Sequence, residues 1–167
     1  MSDDLDEMEK MLNVYLEFSS SQINEKTDVF QLDQLLIDIT SKYESSKIKL
    51  SIENEVSYTG RFNSLKRCLT NLLNNALSYG NNAEISLKNS MNNILIFIDD
   101  DGPGISEEEK KNVMKPFYRI DKSRSQNKTG VGLGLSIASD IIRSHGGDIS
   151  LETSPKKGLR VKISLPS

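Results

Sequence analysis

Three groups of residues in this chain have types and spacings that could do chemistry. The first is the run Thr129-Gly130-Val131-Gly132-Leu133-Gly134-Leu135, directly before a helical pattern. Glycines let a backbone come close to a ligand, and a helix start offers free N–H groups, so this turn can hold an anion such as phosphate. A second glycine turn, Asp99-Asp100-Asp101-Gly102-Pro103-Gly104-Ile105, follows an apolar run. Neither is a Walker A loop, because no Gly-Lys-Ser/Thr follows, and Leu135 stands where a dinucleotide fingerprint needs its third glycine. The second group is Asn71 and Asn75, one helical turn apart, with Tyr79 a turn further on. Such a pair is commonly just solvated. It can also offer amide oxygen to Mg2+, which keeps several waters and needs few protein ligands. The third group lies between the glycine turns. Lys115-Pro116-Phe117-Tyr118-Arg119 opens a charged stretch that bears Lys122, Arg124 and Lys128. It is either a solvated loop or a lid that closes cations over a polyphosphate.

Composition bounds these readings. The chain has 167 residues, 36% hydrophobic and 27% charged, with a net charge of −3. That is one globular domain with a short appendage, and it argues against a basic nucleic-acid surface as the main business. One cysteine and one histidine exclude an internal disulfide and nearly exclude a four-ligand zinc site. No apolar run reaches the ~18 residues of a membrane span. The acidic start, Met1 to Glu7, has no signal-peptide core. The default is a soluble domain in a reducing compartment, expected in the cytoplasm. Cys68 lies on an apolar helix flank and reads as packing. His145 precedes Gly146-Gly147 and reads as structural or solvated.

Periodicity supplies the elements that must position these groups. Leu5, Met8, Leu12 and Tyr15 trace a heptad seam over residues 1–18, which ask for a partner helix. Residues 19–22 read as a linker. A short strand is expected at Asp28 to Phe30, then a helix from Leu32 to about Tyr43 and a strand Ile48 to Ile52. A further short strand is expected at Tyr58 to Arg61. A long helix capped by Asn63 or Ser64 should run to Tyr79, with Leu65, Leu69, Leu72, Leu73 and Ala76 inward and Gly80 as its stop. Glu84 to Lys88 and Ile94 to Ile98 read as adjacent strands, the second central because it is apolar throughout. Ser106 to Glu109 has the shape of a capping box. Residues 118–130 form a long loop, Leu133 to His145 a helix, and Asp148 to Leu165 a closing hairpin. The class is α+β, with helices layered on one face of a mixed sheet.

In this order the pieces resemble the ATP-binding catalytic domain of sensor histidine kinases, within the group that includes the gyrase, Hsp90 and MutL ATPases. Asn71 to Ala76 resemble the N box, Asp101-Gly102-Pro103-Gly104 the G1 box, Pro116-Phe117-Tyr118-Arg119 the F box and Gly130 to Leu135 the G2 box. The match covers roughly residues 27–167 and is closest to the osmosensor (EnvZ-type) kinases. It implies a Bergerat-type two-layer sandwich with a mixed, mostly antiparallel sheet. ATP would lie between the long helix, the G1 turn and the lid. By this resemblance Asp101 would accept a hydrogen bond from the adenine 6-amino group, with Gly102 and Gly104 giving the base room. Asn75 would ligate Mg2+ and Asn71 lie near the phosphates. Tyr79, Ile105 and Leu133 would line the nucleotide, and Phe117, Thr129 and Val131 complete the candidate set. Gly130, Gly132 and Gly134 would hold the phosphates, while Arg119, Arg124 or Lys128 neutralise the moving phosphoryl group. Ser78 stands where some relatives carry a lysine, so that contact is lost or moved into the lid.

Hydrolysing members of the group and the anti-sigma-factor serine kinases place a glutamate at the Asn71 position, as general base. An amide cannot take that proton, so the resemblance implies a domain that positions ATP for a nucleophile brought from elsewhere. In the family that nucleophile is a histidine on a two-helix dimerisation hairpin, and the product passes to a response regulator. Residues 1–20 resemble the end of the hairpin's second helix plus a linker, so the acceptor is expected in a missing region or a second chain. A full-length sensor would place this domain at the cytoplasmic face of the inner membrane. The alternatives are a serine kinase or ATPase of the same group, and a nucleotide-dependent interaction module.

Overall fold

The computed structural model describes residues 9, 12, 13, 16, 25–112 and 134–167. The chain runs β1 (Asp28–Gln31), α1 (Leu32–Thr40), β2 (Ile48–Ile52), β3 (Ser57–Gly60), α2 (Phe62–Tyr79), β4 (Ala83–Asn89), β5 (Asn93–Asp100), α3 (Glu107–Asn112), α4 (Gly134–Ser144), β6 (Asp148–Thr153) and β7 (Leu159–Pro166). Five strands form one mixed sheet in the order β2-β4-β5-β7-β6, and β1 pairs with β3 in a separate ribbon. Only β2 with β4 is parallel within the sheet; its other pairings are antiparallel.

Alternation along the strands decides the layers. Ile94, Ile96 and Ile98 of β5 are buried, as are Ile85 and Leu87 of β4 and Val161, Ile163 and Leu165 of β7. They share one cluster with Leu65, Cys68, Leu69, Leu72, Leu73 and Ala76 of α2, with Ile137, Ala138, Ile141 and Ile142 of α4, and with α1. Each leucine, isoleucine or valine among them contributes about 1.5–3 kcal/mol of transfer free energy. The other face of the sheet is polar. There Phe97 of β5 is half-buried. The Arg160 guanidinium lies 4.5 Å from its ring centroid. β5 is nevertheless central, as expected.

The start of α2 differs from the sequence reading. Asn63 and Ser64 lie inside its first turn and do not cap it, and Arg61 at the cap position makes no side-chain cap bond. The carboxylate of Glu25 does the work from outside. It accepts the N–H of Asn63 at 2.7 Å, the N–H of Ser64 at 2.9 Å and the Ser64 hydroxyl at 2.7 Å. These are the donors a cap serves, and a negative charge there suits the helix dipole. Glu25 thus ties to α2 a residue that precedes the expected domain start at 27. Helix α1 also stops earlier than expected, at Thr40, whose hydroxyl bonds back to the Leu36 carbonyl at 2.8 Å. The Ser106 hydroxyl accepts the Glu109 N–H at 3.2 Å, which is half of the expected capping box. The expected loop at 118–130 lies outside the described residues.

Candidate nucleotide site at the end of the central strand

Three successive carboxylates stand at the end of β5, and each has a different partner. Asp99 points to the polar face, where Arg160 grips it with two bonds, Nε to Oδ1 at 2.7 Å and Nη2 to Oδ2 at 3.0 Å. Asp100 continues the inward row of Ile94, Ile96 and Ile98 and is 4% exposed. Its Oδ1 accepts the N–H of Gly102 at 2.9 Å and of Leu159 at 3.1 Å. Among the described residues its Oδ2 has no donor. Burial pushes the Asp100 carboxyl above its usual value, and the neighbouring Asp101 and Asp99 charges add to this, against the two amide bonds. Asp101 lies past the strand. Its Oδ1 accepts the N–H of Asn81 at 2.7 Å and of Asn82 at 2.9 Å, and its Oδ2 accepts Asn82 Nδ2 at 3.1 Å. The Asn82 N–H first, then its side chain and the Asn81 N–H, hold Asp101 below the usual carboxylate range.

The glycines of this turn have internal reasons for being glycine. A Cβ on Gly102 would fall 2.6 Å from the Tyr79 carbonyl oxygen, so the turn packs directly on the end of α2. Gly104 has a φ of +76°, a conformation that favours glycine. Gly80 ends α2 in an extended conformation, not a left-handed one. It is glycine because a Cβ there would lie 2.7 Å from Asp101 Oδ1.

Helix packing sets α2 beside α4. The Arg61 N–H bonds His145 beyond the end of α4, and Cys68 Sγ lies 3.7 Å from the Ala138 carbonyl. These two contacts advance seven residues along α2 and retreat seven along α4, so the helices are antiparallel. Continuing the count places Asn71 level with Leu135 in the first turn of α4, while the position opposite Asn75 lies outside the described residues. Both asparagines are half-buried, and among the described residues neither side-chain amide has a hydrogen-bond partner. Asn74 instead accepts the Tyr43 hydroxyl. Tyr79 is 42% exposed at the end of α2, and Ile105 packs on the core edge. The other candidates, Phe117, Arg119, Arg124, Lys128, Thr129, Gly130, Val131, Gly132 and Leu133, lie outside the described residues, as does Lys122.

His145 and Cys68 are structural, as expected. The His145 ring uses both nitrogens, Nε2 accepting from Arg61 N–H at 3.0 Å and Nδ1 lying 2.8 Å from the Ile141 carbonyl. Burial pushes the fully enclosed Cys68 thiol far up. Sequence reasoning missed Asp100. The signal was present in the period-two pattern: Asp100 has the parity of the buried isoleucines and Asp101 does not.

Residues 60–167 match the family of histidine kinase-, DNA gyrase B- and HSP90-like ATPases. The sensor histidine kinase GtrS of Pseudomonas aeruginosa is 36% identical over 165 residues, which are 98% of this chain and 34% of that protein. The sensor histidine kinase CpxA of Escherichia coli is 41% identical over 108 residues, 64% of this chain and 24% of that protein. The chain therefore spans about a third or less of the length of these relatives. The histidine kinase domain of the E. coli osmosensor EnvZ matches with a TM-score of 0.64 at 29% identity, over 83% of this chain and 88% of that domain. Among the described residues no helix is long and apolar enough to cross a membrane. The chain belongs to the histidine kinase-, DNA gyrase B- and HSP90-like ATPase family, as an ATP-binding catalytic domain of the sensor histidine kinase type.

Proposed function

We propose that this domain binds Mg-ATP and presents its γ-phosphoryl group to a histidine on a dimerisation hairpin, from which a response regulator is served. The observation that carries this reading is Asp100. Two backbone amides fix one oxygen of a buried carboxylate, and the other has no donor among the described residues at the end of the central strand. Such an oxygen accepts a hydrogen bond from the adenine 6-amino group and rejects the 6-carbonyl of guanine, which cannot donate. Asp101, the candidate read from the sequence, has three of about four acceptor positions taken by Asn81 and Asn82. We assign it to holding the turn between α2 and β4.

Asn75 would supply one oxygen to Mg2+, with Asn71 beside the phosphates. Both amides are half-buried and, among the described residues, without a hydrogen-bond partner, and Asn71 lies level with the first turn of α4, which fits that use. Among the described residues no three acidic, histidine or cysteine side chains gather as a metal site, so a cation here would draw on amide and phosphate oxygens. Bound there, the ion would neutralise phosphate charge. Gly130, Gly132 and Gly134 would offer backbone N–H groups to the phosphates, and Arg119, Arg124 or Lys128 would face the transferring group. Tyr79, Ile105, Phe117, Thr129, Val131 and Leu133 would complete the wall. Asn71 cannot act as a general base, which favours positioning over hydrolysis. His145 is unsuited as acceptor because both ring nitrogens are engaged.

The test mixes this chain with a separately made hairpin domain and γ-labelled ATP at the cytoplasmic pH where such a sensor would work. Label that resists alkali and is lost in acid should appear on the hairpin only. Label on this chain alone, or steady phosphate release without a hairpin, would contradict the reading.

A further inference from the structure

The sequence holds one histidine, and it joins three parts of the chain. His145 follows α4. Its Nε2 accepts the Arg61 N–H at the foot of α2, and its Nδ1 lies against the Ile141 carbonyl. A neutral ring protonated on Nδ1 satisfies both contacts; an imidazolium has two donors and no acceptor. The ring is half-buried. Tyr58 of β3 lies with its ring centroid 6.1 Å away, and even a Cβ on Gly60 would fall 2.9 Å from His145 Cδ2.

The charges around the ring oppose a proton on balance. Arg61 faces it from α2 and also bonds the Ser144 hydroxyl, while its buried Nε has no acceptor among the described residues. Arg143 is the exposed cation on α4 itself, and Tyr58 is the neutral titratable group on β3. Glu25 is the one opposing charge among the described residues, from the segment before β1, and its carboxylate is already taken by Asn63 and Ser64. Burial first, with Arg61 adding, holds the imidazole below its ordinary value of 6.5, against the Ile141 bond and Glu25.

We propose that His145 is a proton-sensitive latch between α2 and α4. Neutral, it pins the foot of α2 to the end of α4. A proton on Nε2 removes the Arg61 bond and sets a positive charge beside the guanidinium. The two antiparallel helices, still packed through Cys68 and Ala138, then lose the hydrogen bond that pins one end of the pair, and Asn71 and Asn75 further along α2 are held less firmly. Acidification thereby lowers nucleotide affinity. This inference rests on the nucleotide-site reading above.

Because no second imidazole exists, the ring can be titrated by NMR in the natural chain without assignment, with and without saturating Mg-ATP. The expected result is a neutral ring carrying its proton on Nδ1 and titrating below 6.5. Bound nucleotide should lower that midpoint further, because linked equilibria act on each other equally. A midpoint unmoved by nucleotide, or one at the ordinary value, overturns the latch. His145→Gln gives an independent arm, since an amide can replace both contacts without titrating. From about pH 7.5 to about pH 5.5, ATP affinity should fall roughly fivefold more in the natural chain than in H145Q, the worth of one hydrogen bond. Protonation of the ATP phosphates and of carboxyl groups elsewhere is common to both proteins and cancels, so equal falls overturn the proposal. A chain that takes up no ATP near neutral pH would sink the nucleotide-site reading and the coupling with it. The nucleotide-free titration would still decide whether the ring is locked.

Discussion

Gly158 lies against Asp100 so closely that a Cβ on it would fall 2.2 Å from both the Asp100 carbonyl oxygen and its carboxylate Oδ1. The next residue, Leu159, donates its N–H to the same Oδ1 at 3.1 Å. The tip of the last hairpin is therefore the mould in which the buried carboxylate is set. Gly158→Ala must push backbone away from backbone, a clash with no flexible side chain to yield. Overpacking of this kind costs about 1–3 kcal/mol. Denaturant unfolding should show that loss, and ATP affinity measured by calorimetry should fall with it.

Asp100 and Asp101 separate under one conservative change. In Asp100→Asn the amide oxygen can still accept from Gly102 and Leu159, but the other position becomes a donor where the proposed adenine contact needs an acceptor. A buried charge beside Asp99 and Asp101 is also removed. We expect ATP affinity to drop at least tenfold, about 1.4 kcal/mol, while the melting temperature holds or rises. Asp101→Asn should do the reverse, weakening the Asn81–Asn82 turn while leaving base recognition within a few-fold. ATP-against-GTP binding by calorimetry checks both. If Asp101→Asn is the change that abolishes ATP uptake, the base contact belongs to Asp101.

Removing Mg2+ with a chelator should weaken ATP binding in the natural chain. In Asn75→Ala the affinity with and without the metal should converge. Titrations in magnesium and in chelator give the comparison. A metal dependence that survives Asn75→Ala removes Asn75 from the cation.

Glu25→Ala strips the start of α2 of its outside cap and should cost about 1 kcal/mol, a fall of about 2–4 °C in melting temperature. The pH dependence has a definite sign. Burial raises the Glu25 value, but bonds from Ser64 and Asn63, with the Arg61 charge, outweigh it and keep the carboxyl below its ordinary 4.5. The cap's contribution is thus complete above that value and is lost as pH falls through the lower folded value. Melting curves across this acid range should differ between the natural chain and Glu25→Ala, and the difference should shrink as pH drops. A constant difference would mean the carboxylate charge plays no part.

Much of this protein was legible in its sequence. The inward row Leu65, Leu69, Leu72, Leu73 and Ala76 marks α2, and alternation marks β2, β4, β6 and β7, because helix and strand periods are local properties of the chain. The box order from Asn71 to Gly134 likewise pointed to a nucleotide. What tertiary structure alone decided is which polar atoms remain available. Asp100 and Asp101 are neighbours of identical chemistry. Leu159 and Gly102 fix one oxygen of the first, and Asn81 and Asn82 occupy the second. Glu25 capping α2 across the intervening β1, α1, β2 and β3, and His145 bonding Arg61, are equally nonlocal. No spacing rule encodes such pairings, since they depend on where packing brings distant backbone amides to rest.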